Sequence, residues 1–529
     1  MTLLEKVLKV ITQMSGARKL NANPNGERYT YLGNPEIVKK QKLQEFKVWY
    51  YGDSNELLNY YTAMSTYGNC ENPIYNRNRA QYFWGINPEE IVKRVHSGIP
   101  YAIVSTMVSI IGSSIIESSE DNELLQEIIT KSNLHHILDQ QQKPLTLALG
   151  WGALKPIFDK KVSDVPLVEY YEADDVDFAI KHGIITGIIF KDYYHYKNRD
   201  YVLIETRRVL NGDSLIEYQL NRLEKDNETT EVPLNTIPEL AELENFRIPG
   251  YSKPLAVPTI YFYDMYNKGY GRSIYEGKIG LFDDLDQSLS QRSKTCRVST
   301  PVEYIPVDML ERGRNGQTTI PDVYNRQYIK NEIYPSGDGD GVKGQIQTTQ
   351  PVLNFDQYSQ EQKEIIGMIL TGYMSPASFG LDLAKKDNAD AQREKEKTTI
   401  MTRDNIISSQ TKIEKDLCQI LLMFAEYMRT GTITLKEYDI SVKFCEFANP
   451  SFESLSQTLY PMWVSGAIST EMYVKKLYGD SLSEEERQKE IQALETNKQR
   501  DNIDTGAFEY ENGITANSYS ERTNENPVE

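Results

Sequence analysis

The spacing of apolar residues divides the chain into helical and β-rich stretches. From about residue 88 to 150, apolar positions recur every three or four residues, which predicts a block of helices. The most apolar run in this block, Tyr101 to Ile116, is too short to span a membrane and predicts a buried helix. Between about 165 and 263, short alternating runs are separated by turn-forming pairs, which predicts an antiparallel meander. These pairs are His182-Gly183, Lys197-Asn198 and Asn211-Gly212.

Two further helices flank a segment that is rich in glycine and proline. A helix is predicted near 274 to 297 and another from 356 to 373, because apolar residues recur there at helical spacing. Residues 300 to 351 between them predict a small β module. Acidic residues precede basic ones along the first helix, an order that suits the helix dipole. These residues are Asp283, Asp284 and Asp286, followed by Arg292 and Lys294.

A long helix is predicted from about Ala389 to Arg429. If continuous, it measures roughly 60 Å, and Asn405 and Ser408-Ser409 are candidate kink sites. It follows the stretch TGYMSPASFGLDLAKKDNADAQREKEKTT, in which a turn leads into a charged loop. Residues 431 to 446 alternate like a strand. Residues 451 to 497 return to a helical pattern, with Ser469 as an N-cap.

Composition indicates several folded parts and narrows the choice of partner. The chain has 529 residues, which is longer than a typical single domain. Apolar residues make up 39% of it, as in folded globular proteins. Its net charge of −18 argues against a protein that grips phosphates over its whole surface, but a protein along which DNA slides is compatible with it. Four widely separated cysteines indicate neither disulfides nor a zinc site. The N-terminus predicts an amphipathic helix rather than a signal peptide, and residues 501–529 predict a disordered tail.

We find no catalytic constellation in the sequence. Neither a nucleophile elbow nor an H-E-x-x-H spacing is present, and the glycine-rich strings lack the strand and helix of a phosphate site. An acidic cluster could in principle hold two metal ions, although a solvated turn between strands explains it more simply. The cluster comprises Glu169, Glu172, Asp174, Asp175 and Asp177. We therefore expect no catalytic residue, no resident metal and no cofactor.

The order of these parts resembles the portal proteins of tailed bacteriophages, of the type found in phages with long non-contractile tails. Three stretches carry the resemblance: GYGRSIYEGKIGLFDDLDQSLSQRSK at 269–294, IIGMILTGYMSPASFGL at 365–381, and WVSGAISTEMYVKKLYGDSLSEEERQKEI at 463–491. It covers most of residues 30 to 500, and it lies in the order and spacing of the stretches rather than in any one string.

The resemblance implies an α+β fold in an elongated subunit with named parts. These are an N-terminal helical block and β-rich wing (1–272), a first stem helix (273–299), a small α/β clip (300–351), a second stem helix (352–374), a tunnel loop (375–392), a long kinked helix with a wing strand (393–450), a helical crown (451–500) and a disordered tail (501–529). The DNA-facing residues of the tunnel loop would be Asp382, Lys385, Lys386, Asp387, Asn388, Asp390 and Arg393. The stem residues would be the five charged residues of the first helix.

The resemblance also implies an assembly and a set of partners. The chain would form a homo-oligomeric, dodecameric ring at one capsid vertex, assembled in the host cytoplasm and then part of the virion. Double-stranded DNA would pass through without sequence specificity, and no membrane would be involved. The terminase large subunit, the major capsid and scaffolding proteins, and a head-completion or neck adaptor protein would dock on the ring. The alternative is a metal-dependent phosphodiesterase or nuclease built on the acidic cluster.

Overall fold

The computed structural model describes most of the chain and divides it into two compact units. Described are residues 35–66, 82–85, 93–159, 161–223, 229–264, 269–299, 302–306, 327–331, 347–349, 355–381, 389–444, 452–465, 467–478 and 486–496. One unit comprises Met1–Lys385 and Glu394–Cys445, and the other comprises Lys386–Arg393 and Glu446–Glu529. The predicted N-terminal amphipathic helix and the predicted tail, 501–529, lie outside the described residues.

Helices alternate with sheets along the described chain, so the predicted α+β class is confirmed. The described strand pairs are antiparallel except for β11 and β12, which are parallel. The first elements are α1 (Pro35–Tyr51), α2 (Ser54–Thr66), α3 (Ile99–Ile111), β1 (Ser114–Ser118), α4 (Asn122–Lys131), α5 (Leu134–His136), a π-helical turn (Ile137–Gln142) and α6 (Lys143–Leu149). The strands that follow are β2 (Trp151–Ile157), β3 (Leu167–Glu172), β4 (Val176–Lys181), β5 (Ile184–Tyr196), β6 (Arg199–Leu210), β7 (Asp213–Leu223), β8 (Thr229–Val232), β9 (Phe246–Ile248) and β10 (Val257–Ile260). The remaining elements are α7 (Ile279–Val298), β11 (Val302–Pro306), β12 (Gln327–Asn331), β13 (Gln347–Thr349), α8 (Phe355–Leu370), α9 (Ala389–Thr430), β14 (Ile440–Phe444), α10 (Phe452–Val464) and α11 (Thr470–Tyr478).

The antiparallel meander is present where the alternating pattern predicted it. Strands β4 to β8 are neighbours in chain order, and all of their pairings are antiparallel. The turn after β4 has φ of 52° at His182 and 82° at Gly183, and the turn after β6 has 55° at Asn211 and 90° at Gly212. Two consecutive positive φ values suit the right-handed twist of a two-residue hairpin, which explains the residue types at these turns.

The predicted helix over the apolar run 101–116 is wrong in its last third. Helix α3 ends at Ile111, because Gly112 takes φ of 73° and its N–H bonds back to Val108. The chain then forms strand β1, which pairs with β14 some 300 residues later, with Ile116 opposite Val442. Burial alternates along β1, as in a strand with one buried face. Five residues are too few for the sequence to distinguish this alternation from a helical pattern.

Two other strands differ from the pattern for related reasons. Strand β2 was not predicted, because nearly every residue in it is buried and the sequence therefore does not alternate. Of the predicted strand 431–446, only Ile440–Phe444 forms one. Its first half bonds to a side chain instead, since Gln419 of α9 donates to the Lys436 carbonyl (2.7 Å) and accepts from the Tyr438 N–H (3.1 Å).

Helix α9 has 42 residues and matches the predicted bounds to within one residue. Its buried face carries Ile406, Ile413, Leu417, Leu421 and Phe424, as the apolar spacing predicted. In the middle of this face, the Gln410 side chain donates to the Gln142 side-chain oxygen (2.9 Å) and accepts from the Tyr261 hydroxyl (2.8 Å). Gln142 in turn donates to the Tyr261 hydroxyl (3.0 Å). A fully buried polar group of this kind must find its partners inside the protein, so the network specifies which residues α9 contacts.

The second unit contains α10, α11 and a further helical stretch at 486–496. Its core comprises Leu459, Trp463, Tyr473, Val474 and Leu477, with the Trp463 and Tyr473 rings stacked 5.2 Å apart. The Ser469 hydroxyl accepts the Met472 N–H at 3.2 Å, which confirms the predicted N-cap of α11.

The backbones of Gly271 and Gly150 pack closely against each other, and a substitution at Gly271 tests this contact. A Cβ added there would overlap the carbonyl oxygen of Gly150, and neither backbone has a flexible side chain that could yield. We expect Gly271→Ala to lower the free energy of unfolding by about 1–3 kcal/mol or more. Gly280→Ala is the matched control, since a Cβ there meets no atom within 4 Å inside a helix, and we expect it to be neutral or slightly stabilising. Thermal unfolding of both variants measures this, and equal midpoints would contradict the expectation.

Candidate functional site

Helices α7 and α8 form an antiparallel pair, called the helix pair below. Contacts follow one another in opposite directions along the two helices: Lys278 reaches the carbonyl of Thr371, Ser288 bonds Glu361, and Thr295 lies against Tyr358. Between the helices the chain forms a small sheet in the order β12-β11-β13. One helix therefore leads into a β module and another returns, as the sequence predicted.

The interface of the helix pair is polar at its centre. The buried Ser288 hydroxyl donates to Glu361 (3.0 Å), and Arg292 Nη1 donates to the amide oxygen of buried Gln362 (2.9 Å). The Arg292 guanidinium also lies 4.6 Å from the centroid of the Phe355 ring. Directional bonds of this kind hold one register of the two helices, because a shift by one turn would leave the buried groups unpaired.

Asp283 and Asp286, predicted as stem residues, are buried acceptors for the N-terminal part of the chain. Asp283 accepts the backbone N–H groups of Phe83 (2.8 Å) and Trp84 (3.4 Å). Asp286 accepts Trp84 Nε1 (3.1 Å), His96 Nδ1 (2.7 Å) and the Ser97 N–H (2.8 Å). Asp284 is exposed. The favourable interaction of these charges with the helix dipole is therefore not their main contact. Their hydrogen-bond donors lie about 200 residues away along the chain and leave no signal in the local sequence.

An aromatic core surrounds the start of the helix pair. Trp49 of α1 lies 5.6 Å from Phe282 of α7, and Tyr275 lies 5.4 Å from Phe282. Trp49 Nε1 donates to the Tyr61 hydroxyl (2.8 Å), which in turn donates to Glu45 (2.9 Å). Each polar edge of these rings is thereby satisfied, so the rings can be buried at little cost.

The segment that follows α8, residues 371–381, is called the root segment below. Lys278 Nζ donates to the carbonyls of Met368 (2.9 Å) and Thr371 (3.1 Å), and thereby satisfies the last turn of α8. Thr399 of α9, which is fully buried, accepts the Ser375 N–H (2.9 Å) and bonds the Ser378 hydroxyl (2.9 Å). The root segment is therefore held by both the helix pair and the long helix.

The predicted tunnel-loop residues fall largely beyond this root. Asp382, Lys385, Lys386, Asp387 and Asn388 lie outside the described residues. Asp390 and Arg393 lie in the first two turns of α9, as the predicted start of that helix requires. The described chain thus leads into the predicted loop at Leu381 and resumes as helix at Ala389.

The acidic cluster of the alternative hypothesis is neutralised by lysines. Lys47 Nζ lies 2.6 Å from both Glu172 and Asp174, Lys191 lies 2.5 Å from Asp177, and Lys155 lies 3.7 Å from Glu169. Burial raises the pKa of Asp175. In the part of the chain that the structure describes, no group of three or more His, Cys, Asp or Glu side chains could hold a metal ion. The predicted turn is present between β3 and β4, but it is ion-paired rather than simply solvated.

A cleft lies elsewhere in the first unit. It has a volume of about 490 Å³ and is lined by residues 250–253, one face of α9 and residues 435–440. Its charged groups Lys253 and Asp416 pair with each other at 3.0 Å. No helix among the described residues is long and apolar enough to cross a membrane.

Thr399→Val tests how the root segment is held. The substitution keeps the shape of the side chain but leaves the Ser375 N–H without its acceptor, which costs about 1–3 kcal/mol locally. We expect amide exchange at residues 375–378 to accelerate by at least about tenfold, measured by hydrogen–deuterium exchange.

Thr398→Val is the matched control for this measurement. Thr398 is the preceding residue on the same helix and its side chain is exposed, so exchange at residues 375–378 should remain as in the wild type. Equal exchange in both variants would show that the Thr399 hydroxyl does not hold the root segment.

Comparison of the sequence with known proteins assigns no family to this chain. No protein-family model matches the sequence, and no curated protein matches it.

Proposed function

We propose that the chain is the portal subunit of a tailed bacteriophage, a ring-forming conduit for double-stranded DNA. The observation that carries the proposal is the succession of helix pair, inserted sheet, root segment and 42-residue helix. In this assignment α7 and α8 are the stem, and β11 to β13 belong to the clip. The loop that faces DNA lies within the predicted range 375–392, between the root segment and the start of α9 at Ala389.

The contacts support a structural rather than a catalytic role for these parts. Three of the charged residues of α7, Asp283, Asp286 and Arg292, are used in internal hydrogen bonds. The carboxylates that could have bound metal pair with lysines. A scaffold whose charges are satisfied internally suits a rigid ring on which other proteins dock.

The net charge suits a channel through which DNA must move. Each phosphate contact adds salt-dependent affinity, so a mostly acidic wall with few cations avoids holding the duplex in place. At −18 per chain, twelve copies carry on the order of −200 formal charges before counterions. Lys385 and Lys386 would then supply transient phosphate contacts, and neighbouring aspartates such as Asp387 would limit their strength.

The proposed partners follow from the role. Copies of the chain form the ring, the terminase large subunit supplies ATP-driven packaging, and neck adaptor, major capsid and scaffolding proteins complete the vertex. The particle is assembled in the host cytoplasm and the ring stays in the virion.

Electron microscopy of the purified chain tests the assembly. We expect rings of about twelve copies with a central hole, because the copies must together surround the DNA that passes through them. A strictly monomeric protein that cleaves DNA only when Mg²⁺ is added would overturn the proposal and favour the phosphodiesterase alternative.

A double substitution tests the predicted DNA-facing loop. In Lys385→Ala with Lys386→Ala we expect normal ring assembly together with a severalfold loss of packaged or retained DNA, because two phosphate contacts are removed. The readouts are ring images and the DNA content of particles assembled with the variant.

Lys475→Ala with Lys476→Ala is the matched control. It removes the same charge from another neighbouring lysine pair, which is exposed on α11, and should leave the DNA content unchanged. Normal DNA content in the loop variant, or an equal loss in both variants, would count against the assigned role of Lys385 and Lys386.

A further inference from the structure

Two buried carboxylates lie on the same face of α7. Asp283 and Asp286 are three residues apart, so their side chains are neighbours on the helix surface. The relative exposure is 4% for Asp283 and zero for Asp286. Two like charges placed this close in a buried site cannot both be ionised without a large cost.

The N-terminal part of the chain covers these carboxylates with N–H donors. Residues 82–85 and 93–98 supply them, and we call the contact between these residues and α7 the junction. Asp286 receives three donors, from Trp84, His96 and Ser97, whereas Asp283 receives two backbone donors. The Val95 N–H bonds the Ser290 hydroxyl at 2.9 Å and completes the junction.

The charged surroundings of the junction come from several elements. Arg94 interacts electrostatically with Asp283, and its Nη1 donates to the Trp84 carbonyl at 2.6 Å. Asp284 adds negative charge beside Asp283 from α7, and Glu361 of α8 lies near Asp284. From α1, the Trp49 ring lies 5.7 Å from the His96 ring and contributes no charge. Asp283, with two donors against the three of Asp286, has the weaker hydrogen-bonding environment of the two.

We propose that Asp283 takes up a proton when the junction closes, so that the attachment of residues 82–85 and 93–98 to α7 tightens as the pH falls from 7 towards 5. Burial raises the pKa of Asp283 to about 7, against the opposing effect of its two backbone donors. When the junction opens, the carboxyl returns to water and to its ordinary pKa near 4.

The sign of the pH dependence follows from this difference. Between about pH 4 and 7 the closed junction binds more protons than the open one, so the free energy of opening falls as the pH rises. Above about pH 7 both states have lost the proton and the dependence levels off. The junction thus acts as a lock on the start of the helix pair, and it tightens when Asp283 takes up a proton. This inference does not depend on the proposal that the chain forms a ring.

Hydrogen–deuterium exchange of the full chain tests the lock. After correction for intrinsic rates, we expect protection of the amides at 83–84 and 95–97 to fall by about tenfold or more between pH 5 and 7, and to change little between pH 7 and 8. If amide protection in the wild-type chain stays constant or rises between pH 5 and 7, the proposal is overturned, and no variant is needed to show this.

Two variants assign the effect to one carboxyl. Asp283→Asn keeps the shape but cannot titrate, and we expect its protection profile to be flat with pH. Asp284→Asn, an exposed neighbour on the same helix, should retain the wild-type profile. An unchanged pH dependence in Asp283→Asn, or its loss in Asp284→Asn, would show that Asp283 is not the titrating group.

Discussion

The first unit depends on the satisfaction of two buried carboxylates on α7. Asp283 and Asp286 together accept five N–H groups from residues that precede the helix by about 200 positions. Leaving either carboxyl group buried without these donors would cost several kcal/mol, so the contact with the N-terminal residues stabilises this part of α7. The aromatic core of Trp49, Tyr275 and Phe282 is buried at the same place and excludes water from these bonds.

Other buried charged groups and amides of the described chain also find hydrogen-bond partners inside the protein. Lys143, with a fully buried side chain, donates to Asp139 and to the Gly112 carbonyl, and Arg207 donates to Glu205 and to two carbonyls. Gln410 and Gln142 link the long helix to the π-helical turn. Polar contacts rather than apolar area alone therefore decide which elements are neighbours, because each of these groups has few places where its bonds can be made.

The helix pair and the root segment show how such contacts can serve a conduit. Arg292, Gln362 and Ser288 hold the two helices in register, and Lys278 and Thr399 hold the chain that leaves them. A loop that must meet a moving polymer needs a fixed origin, since an origin that moved with it would transmit no force. In the proposed portal, these contacts would fix the root from which the DNA-facing loop leaves.

Local pattern by itself determined the α+β class, the meander with its turns, the helix pair and the bounds of the long helix. Each of these depends on periodicity or on turn residues such as Asn211-Gly212 that act over a few positions. Only the tertiary structure decided that Ser114–Ser118 is a strand, that β2 is buried on both faces, and that the acidic cluster is paired with Lys47 and Lys191. It alone also turned Asp283 and Asp286 from favourable charges on a helix into the acceptors that bind the N-terminal residues. These features depend on partners far away in the sequence, and a residue's neighbours along the chain carry no record of which distant donor or strand will satisfy it.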